Sequence, residues 1–538
     1  MVTLAEPESE PESGPEPEPE SGAAPDGRRP SARRLAAARG RAAAALRWAV
    51  RCPGVWLSFA AAGVFSAFAA FRIFDYVAAS LDFGIIFQTV HGWAFHGWPA
   101  QPLYGPANNE FSDHFAPMLA LLSPLLWIHD SPTTLAVAQA VLVAAAGVPV
   151  YVAVRRMHGP IVGTLACAAY LVCTSTVEAI GFDIHENMFT PLLLAWAVER
   201  ALAGRWTTAA VLAGITVFCY EDMGLVVLLF AGWAALNRQG KHAAALAVWG
   251  VGMLGLTVGV IMPALGGDTA SWTAHHFQYQ HSLHATTMGQ ALVHAVEHPR
   301  HTLHLLFDNK VKRDTWWVLF APVGFLALAS PITYLGASTM LLLMLSDLDT
   351  HWGWDDQFYL QVGPLLFIGA ADALLRFKRG GAWALRRARA RYPALAERVP
   401  VLADGRRLRL FAQAGVIALA ALSLATTYAV EQTPNRRPSI AIWNWLYEGR
   451  TGRSRAEVDA ISRVAAHVPA GQPVLVANDL GVVLLPKDTV VSAAPYAKYI
   501  LFDTSSRWYP PYWQQLFTSQ YGFHVVVTDR DVVLMAKS

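Results

Sequence analysis

Between residues 53 and 430 the chain carries one apolar stretch after another, each near the length that crosses a bilayer, and that pattern predicts an all-α polytopic membrane bundle. A hydrocarbon layer about 30 Å thick takes about 20 apolar residues as a helix. Stretch 53–74 (PGVWLSFAAAGVFSAFAAFRIF) is the first. Others are read at about 132–154, 160–180, 188–202, 207–221, 223–236, 243–265, 316–329, 331–346, 357–376 and 410–430, making about 11 transmembrane helices. Charged residues make up only 15% of the chain and hydrophobic ones 54%, against about 25% charge in soluble domains.

Orientation follows from lysine and arginine, which collect on the cytoplasmic side. The basic run before residue 53 holds the N-terminus inside, and Arg155-Arg156, Arg200, Arg205, Arg238 and Lys241 agree with the alternation. The basic loop 376–409 (RFKRGGAWALRRARARY, then RRLR) is the strongest signal. Two long loops, 75–131 and 266–314, then fall outside, as does the C-terminus. The apolar piece 116–128 is read as lying along or dipping into the interface, because a full crossing would carry Arg155-Arg156 outside. Three regions result. Residues 1–45 form an acidic, then basic cytoplasmic tail whose Pro/Glu/Ser run has little to bury. Residues 46–430 form the transmembrane domain. Residues 431–538, with Val-rich runs alternating with helical segments, form a small extracytoplasmic α/β domain. Cys52, Cys167, Cys173 and Cys219 lie in or beside apolar segments with no paired spacing, so neither a disulfide framework nor a zinc site is expected.

With this topology the acidic and histidine residues gather at one face. Asp82, Asp113, His114, Asp183, His185, Glu186, Glu221, Asp222 and His351 come from separate segments and all map to outer helix ends or loops. Acids at membrane depth line polar cavities and mark function; Glu221-Asp222, set between two apolar stretches, is the clearest case. Other motifs carry less. Gly250-Val-Gly252-Met-Leu-Gly255 has the dinucleotide spacing but lies inside an apolar span, where it reads as helix packing. Asp347-Leu-Asp349 sits at an outer helix end, away from nucleotide sugars, and Asp529-Arg-Asp531 reads as a hairpin turn. His185-Glu186 lacks the second histidine of a metalloprotease helix, and the His-rich segment of the second loop matches no defined ligand spacing. No metal, cofactor or nucleic-acid partner is expected.

Several stretches together resemble a bacterial membrane protein family of undefined function, domain of unknown function 2079. LDFGIIFQ is similar to its Asp-Leu-Gly-Ile-Phe-x-Gln segment, SDHFAP to Asp-His-Phe-x-Pro, GFDIHEN to Phe-His-x-Glu, and YEDMGL to its Glu-Asp pair. HWGWDDQFYLQVGPLLF and the C-terminal VLVANDLGVVLL and KYILFD match in position and order, so the resemblance spans about 70–538. That family resembles the GT-C glycosyltransferases: many helices and a first outer loop bearing a catalytic Asp. The resemblance implies Asp82, Asp113 and His114 as catalytic candidates. It implies Gln88, His185, Glu186, Glu221, Asp222, His351, Gln357 and Tyr359 as substrate-binding candidates.

The chemistry expected is transfer of a sugar from a polyprenyl-phosphate donor in the membrane lipid to an envelope glycan or lipid acceptor. Such a reaction needs a carboxylate to take the acceptor proton and cationic groups for the leaving phosphate, for which Arg72 and Lys310, Lys312 and Arg313 are the outer basic candidates. The Arg507–Trp513 run could stack on sugar rings. A transporter or lipid-carrier flippase and a non-catalytic scaffold are the alternatives; the first predicts polar groups near the membrane midplane, and the second needs no buried acids.

Overall fold

The computed structural model describes residues 43, 47–266, 279–286, 288–355, 357–391, 453–485, 487–506 and 512–538, with scattered positions between 414 and 449. The acidic tail, most of the basic loop beyond 391, most of span 410–430, Asp268, Asp356 and the first five residues of the Arg507–Trp513 run lie outside the described residues. Residues 53–538 form one compact unit.

The helical part begins with α1, Pro53–Phe74. Proline opens it where its missing N–H is no loss, and its 22 residues reach about 33 Å at about 1.5 Å each. A second helix, α2 (Ser80–His96), follows almost at once. α3 (Pro132–Ala145) and α4 (Gly147–His158) form a nearly continuous apolar rod, and α5 (Pro160–Leu171) packs back along α4. α6 (Met223–Leu236) and α7 (Gly240–Leu256) make a close hairpin. A Cβ on Gly224 would stand 2.4 Å from Leu254 Cγ, and one on Gly250 3.0 Å from the Gly224 carbonyl oxygen. Of the dinucleotide-like glycines Gly250 thus serves contact between helices, as small residues do in membranes, whereas a Cβ on Gly252 or Gly255 would meet nothing within 4 Å. α8 (Val362–Arg391) runs 30 residues, well past the apolar stretch that begins it.

Among the described residues, four helices are long and apolar enough to cross a membrane: Pro53–Phe74, Pro132–His158, Pro160–Gly181 and Gly240–Leu265. Thr190–Leu202, Trp206–Ile215 and α6 have 13, 10 and 14 residues, reaching about 15–21 Å. The expected pair at 316–329 and 331–346 is instead Lys310–Phe320, a series of 3-10 turns, and Ala337–Leu345. Pro322 and Pro331 interrupt the backbone hydrogen bonding there. Hydropathy counts apolar runs; helix length depends on where prolines and polar turns cut them.

The first long loop is also more ordered than its sequence reading. It holds α2, three 3-10 turns and the short helix Ser123–Ile128. Asp82 therefore lies in the first turn of a 17-residue helix rather than in a loop.

The C-terminal part contains α9 (Arg455–Ala465), started by a reciprocal Ser454/Glu457 capping box, and α10 (Tyr512–Tyr521). Its strands are β1 (Pro473–Val476), β2 (Thr489–Val491), β3 (Tyr499–Asp503), β4 (Phe523–Asp529) and β5 (Val532–Lys537). Their order is β2-β1-β3-β5-β4, parallel across β2, β1 and β3 and antiparallel for β5 against β3 and β4. Asp529 pairs with Val532 across the expected hairpin, with Arg530 at φ +55°.

Side chains alternate across a strand, and here each face buries a different core. Val474, Val476, Leu501 and Leu534 join α9 and the helical part, packing with Phe83, Phe87, Leu103 and Leu119. Leu475, Ile500, Phe502, Val533 and Met535 enclose Phe517 of α10 on the other face. The α/β part thus shares a hydrophobic core with α2. Polar bonds tie the seam: Leu81 N–H donates to Asn478 Oδ1 (2.8 Å), Val490 N–H to Gln88 Oε1 (3.1 Å) and Ser492 N–H to the Leu103 carbonyl (2.8 Å).

Candidate active site

Three segments far apart in sequence bring ionisable side chains together beside Asp82: the 110–114 turn, the 183–186 turn and the 220–222 turn. The first is shaped by Asn109, whose side chain closes a reciprocal cap with Ser112 and so forms the tight turn carrying Glu110. Asn109 Nδ2 also donates to the Leu265 carbonyl at 2.8 Å, fastening the first loop to the end of the α7 segment. Glu110 is buried; its Oε2 accepts from Thr89 Oγ1 at 2.8 Å, while Oε1 has no hydrogen-bond partner. Burial, with Glu186 nearby, holds its pKa well above the usual carboxylate range.

His114 is the hub. Its Nδ1–H donates to Glu221 Oε1 at 3.1 Å, and the neighbouring Phe115 N–H donates to Glu221 Oε2, also at 3.1 Å. Both oxygens of Glu221 are therefore held by the first loop. The imidazole packs on the Tyr220 ring, centroids 4.5 Å apart, with the Tyr220 hydroxyl 3.4 Å from Nε2 and Asp113 Oδ1 at 3.9 Å. Burial disfavours the imidazolium, but Asp113 and Glu221 outweigh it and raise the His114 pKa well above the ordinary histidine value.

The 183–186 turn is set by α1 and α3. Arg72, at the end of α1, pairs with Asp183 at 3.2 Å and donates to the Phe182 carbonyl; Ala79 N–H donates to the other Asp183 oxygen at 2.8 Å. Gln139 Nε2 donates to the Ala179 and Asp183 carbonyls at 3.1 Å, and its Oε1 accepts from His185 N–H at 2.9 Å. His185 is thereby aimed: it stacks on Phe182, stands 3.8 Å from Glu186, and leaves Nε2 without a partner. A narrow cavity lined by Arg72, Phe83, Gln139, Phe182, Asp183 and Ile184 opens beside it.

Electrostatically the cluster acts as one. Asp82 is half-buried, and burial raises its pKa, with Glu186 and Asp113 adding to the rise and His185 opposing it. Glu186 moves down despite burial, because His185 and His114 stabilise its charge. His185 moves up despite burial, held by Glu186 and Asp82. Burial and the Glu221 charge push Asp222 up to about 7, and burial brings Asp183 to about 6 against the pull of Arg72.

Of the other candidates, Gln357 stands beside the cluster and the rest lie apart from it. Gln88 uses both ends of its amide structurally, donating to Gly84 and accepting from Val490 of β2. Gln357 is buried beside this cluster, its carbonyl accepting from Asn187 Nδ2 at 3.3 Å and its own Oε1 without a partner. Tyr359 is buried and donates to the His351 carbonyl at 3.3 Å, while the half-buried His351 ring lies on Phe358. Asp347 accepts the N–H groups of His281 and Ser282 at 2.7 Å. The basic groups considered for phosphate are engaged: Arg72 with Asp183, Lys310 with Asp314, Lys312 with Leu305 and Asp308, and Arg313 with the Phe307 carbonyl. Glu110, Gln139 and Tyr220 were missed by sequence reasoning. Glu110 precedes Asp113-His114 by one turn, which is the signal that could have found it. Among the described residues no group of three or more His, Cys, Asp or Glu is arranged to hold a metal ion, and none of the four cysteines is in a disulfide.

Apolar helices of membrane length, with polar chemistry gathered where their connections meet, define a multi-pass membrane protein. The chain belongs to the predicted membrane protein family DUF2079, whose profile matches residues 72–506. Its structural neighbours are GT-C glycosyltransferases. ArnT from Cupriavidus metallidurans in the apo state is similar with a TM-score of 0.51 at 14% identity, covering 92% of this chain and 98% of ArnT. The same protein bound to undecaprenyl phosphate gives 0.47 at 14% identity, covering 90% and 97%. An Archaeoglobus fulgidus oligosaccharyltransferase tethered to an acceptor peptide gives 0.39 at 12% identity, covering 83% and 69%. No curated protein matches in sequence. The likeness to apo ArnT is one of fold.

Proposed function

We propose that this protein is a membrane glycosyltransferase that moves a sugar from a polyprenyl-phosphate donor to an extracytoplasmic envelope acceptor. The observation that carries the reading is the convergence of Asp82, Glu110, Asp113, His114, His185, Glu186, Glu221 and Asp222 on one site, coupled through their charges. Glu110 Oε1, His185 Nε2, Asn187 Oδ1, Asp222 Oδ1 and Gln357 Oε1 are buried without partners there. Unpaired buried polar atoms are costly, and a polyhydroxylated ligand supplies both donors and acceptors. In this reading about 11 helices cross the membrane, the N-terminal tail and basic loop are cytoplasmic, and residues 431–538 form the extracytoplasmic part.

The step is a displacement at the anomeric carbon. The acceptor hydroxyl oxygen attacks, the bond from carbon to the phosphate oxygen breaks, and the polyprenyl phosphate leaves. Asp82 takes the hydroxyl proton; burial raises its pKa and makes it a stronger base than an exposed carboxylate. The His114 and His185 imidazolium groups are the cations for the leaving phosphate, a role for prepositioned charge. Asp113 and Glu221 keep His114 protonated for that purpose.

The experiment is transfer of radiolabelled sugar from polyprenyl-phosphate donors by purified protein in detergent, comparing wild type with Asp82→Asn. The amide keeps shape and removes the proton acceptor, so a loss of about 100- to 10,000-fold with intact folding is expected. Asp75→Asn, at the end of α1, should be far milder. Near wild-type turnover by Asp82→Asn would remove Asp82 as the base.

A further inference from the structure

We propose that Asn478, on the turn after β1, is a positioning residue for Asp82: it caps the first turn of α2 from the C-terminal α/β part and so sets where the Asp82 carboxylate stands. The proposal rests on the reading of Asp82 as the base. The first N–H groups of a helix have no partner within it, and a Ser, Thr, Asn or Asp at the N-cap normally serves the second or third of them. α2 begins after Ala79, which makes no side-chain cap bond. Its second N–H belongs to Leu81, the residue before Asp82, and Asn478 Oδ1 accepts it at 2.8 Å. A residue 397 positions away thus takes the place of the missing local cap.

The other half of a local cap is replaced as well. In a capping box the side chain at the third helical position reaches back to the N–H of the N-cap residue. Asp82 holds that third position, but the Ala79 N–H donates at 2.8 Å to Asp183 Oδ2 instead. Beyond its own backbone N–H, the charge of Asp82 is coupled to those of His185, Glu186 and Asp113.

The connection from α1 to α2 is held from the same side. Tyr76 lies in it at φ +52°, a conformation uncommon for a residue other than glycine and kept only where the surroundings enforce it. Ser462 Oγ of α9 donates to the Val458 carbonyl at 2.9 Å, so it accepts from the Tyr76 hydroxyl at 3.0 Å. Arg453 Nε donates to the Tyr76 carbonyl at 3.3 Å, and its Nη1 to Asp503 Oδ2 at 3.1 Å. Asn478 is itself fixed. It opens the 3-10 turn Asn478–Val483, and the preceding Ala477 N–H donates to the Leu501 carbonyl at 2.9 Å. Leu480 and Val482 of that turn are buried in the core shared with α2. The segment that presents Asp82 therefore takes its shape from the C-terminal α/β part, and a misplacement of about 1 Å at a reacting group can cost about 100-fold in rate.

The test uses full-length protein in detergent. Hydrogen exchange at single-amide resolution should find the Leu81 N–H protected in wild type, although it is second in its helix; an unprotected Leu81 would overturn the cap without any variant. Asn478→Ala should lose that protection, and Asn478→Asp, which keeps an acceptor oxygen, should restore it. With radiolabelled polyprenyl-phosphate sugar, Asn478→Ala should lower kcat about 10- to 100-fold at unchanged donor KM, and Asn478→Asp should recover most of the loss. Ser492→Ala removes a different bond of the same seam, Oγ to the Leu103 carbonyl at 2.8 Å, and should keep the wild-type kcat. Wild-type kcat in Asn478→Ala, or an equal loss of kcat in Ser492→Ala, would overturn the positioning role. A wild type that transfers no sugar would overturn the glycosyltransferase reading, and the Leu81 exchange would still decide the cap.

Discussion

His114 and Glu221, 107 residues apart, meet at 3.1 Å, and the same carboxylate accepts the backbone N–H of Phe115. One side chain from the turn before α6 thus positions an imidazole on the first long loop and joins Asp113 in favouring its charge.

Replacing Glu221 by Gln should lower the His114 pKa, since one of the charges that favour the imidazolium is gone while Asp113 remains. A histidine whose folded pKa is raised adds stability that is fully present below the ordinary histidine range and is lost as pH rises through the folded value. Wild type should therefore lose Tm across the alkaline side of neutrality, and Glu221→Gln should show a flatter profile there. Thermal unfolding in detergent at a series of pH values reads this; identical profiles would detach Glu221 from His114.

Asp222 carries the opposite sign. Its folded pKa of about 7 lies above the ordinary carboxylate value of 3.8, so folding opposes its ionisation and stability declines as pH rises between those values. Asp222→Asn removes the charge at every pH. The variant should gain a few degrees of Tm over wild type at pH 8 and almost nothing at pH 4. An equal shift at both pH values would show that packing, not ionisation, is responsible.

Arg72 and Asp183 form a buried ion pair between the end of α1 and the 183–186 turn. Removing one partner of such a pair typically costs about 3–5 kcal/mol, because the other charge is left buried. Arg72→Met should destabilise by that order, and Arg72→Met/Asp183→Asn should recover part of it. Denaturation of the two variants side by side decides the point; a double variant no more stable than the single would mean the pair is not coupled.

Gln88 separates a structural from a substrate-binding role. Gln88→Leu leaves the buried Val490 N–H without its acceptor, a loss of about 1–3 kcal/mol, and loosens the seam between α2 and β2. Stability should fall while the KM for donor stays near wild type. A raised KM with unchanged stability would return Gln88 to the substrate site.

The amino-acid sequence by itself determined what depends on local pattern. Apolar runs identified a multi-pass membrane protein, and alternating Val-rich runs identified β1, β3, β4 and β5. Thr489–Val491 was too short and too close to Pro486 to be read as β2. Acids placed between apolar stretches pointed to Asp82, Asp113, His114, His185, Glu186, Glu221 and Asp222, because an ionisable group beside a membrane span requires a reason.

Tertiary structure alone decided how those groups are used. Glu110 looks like any polar loop residue until the Asn109–Ser112 turn buries it. Arg72 and Gln88 look available for ligands until folding commits one to Asp183 and the other to Val490. Hydrogen bonds and ionic coupling fall off over a few ångströms, and distances of that scale between remote residues exist only once the chain has packed.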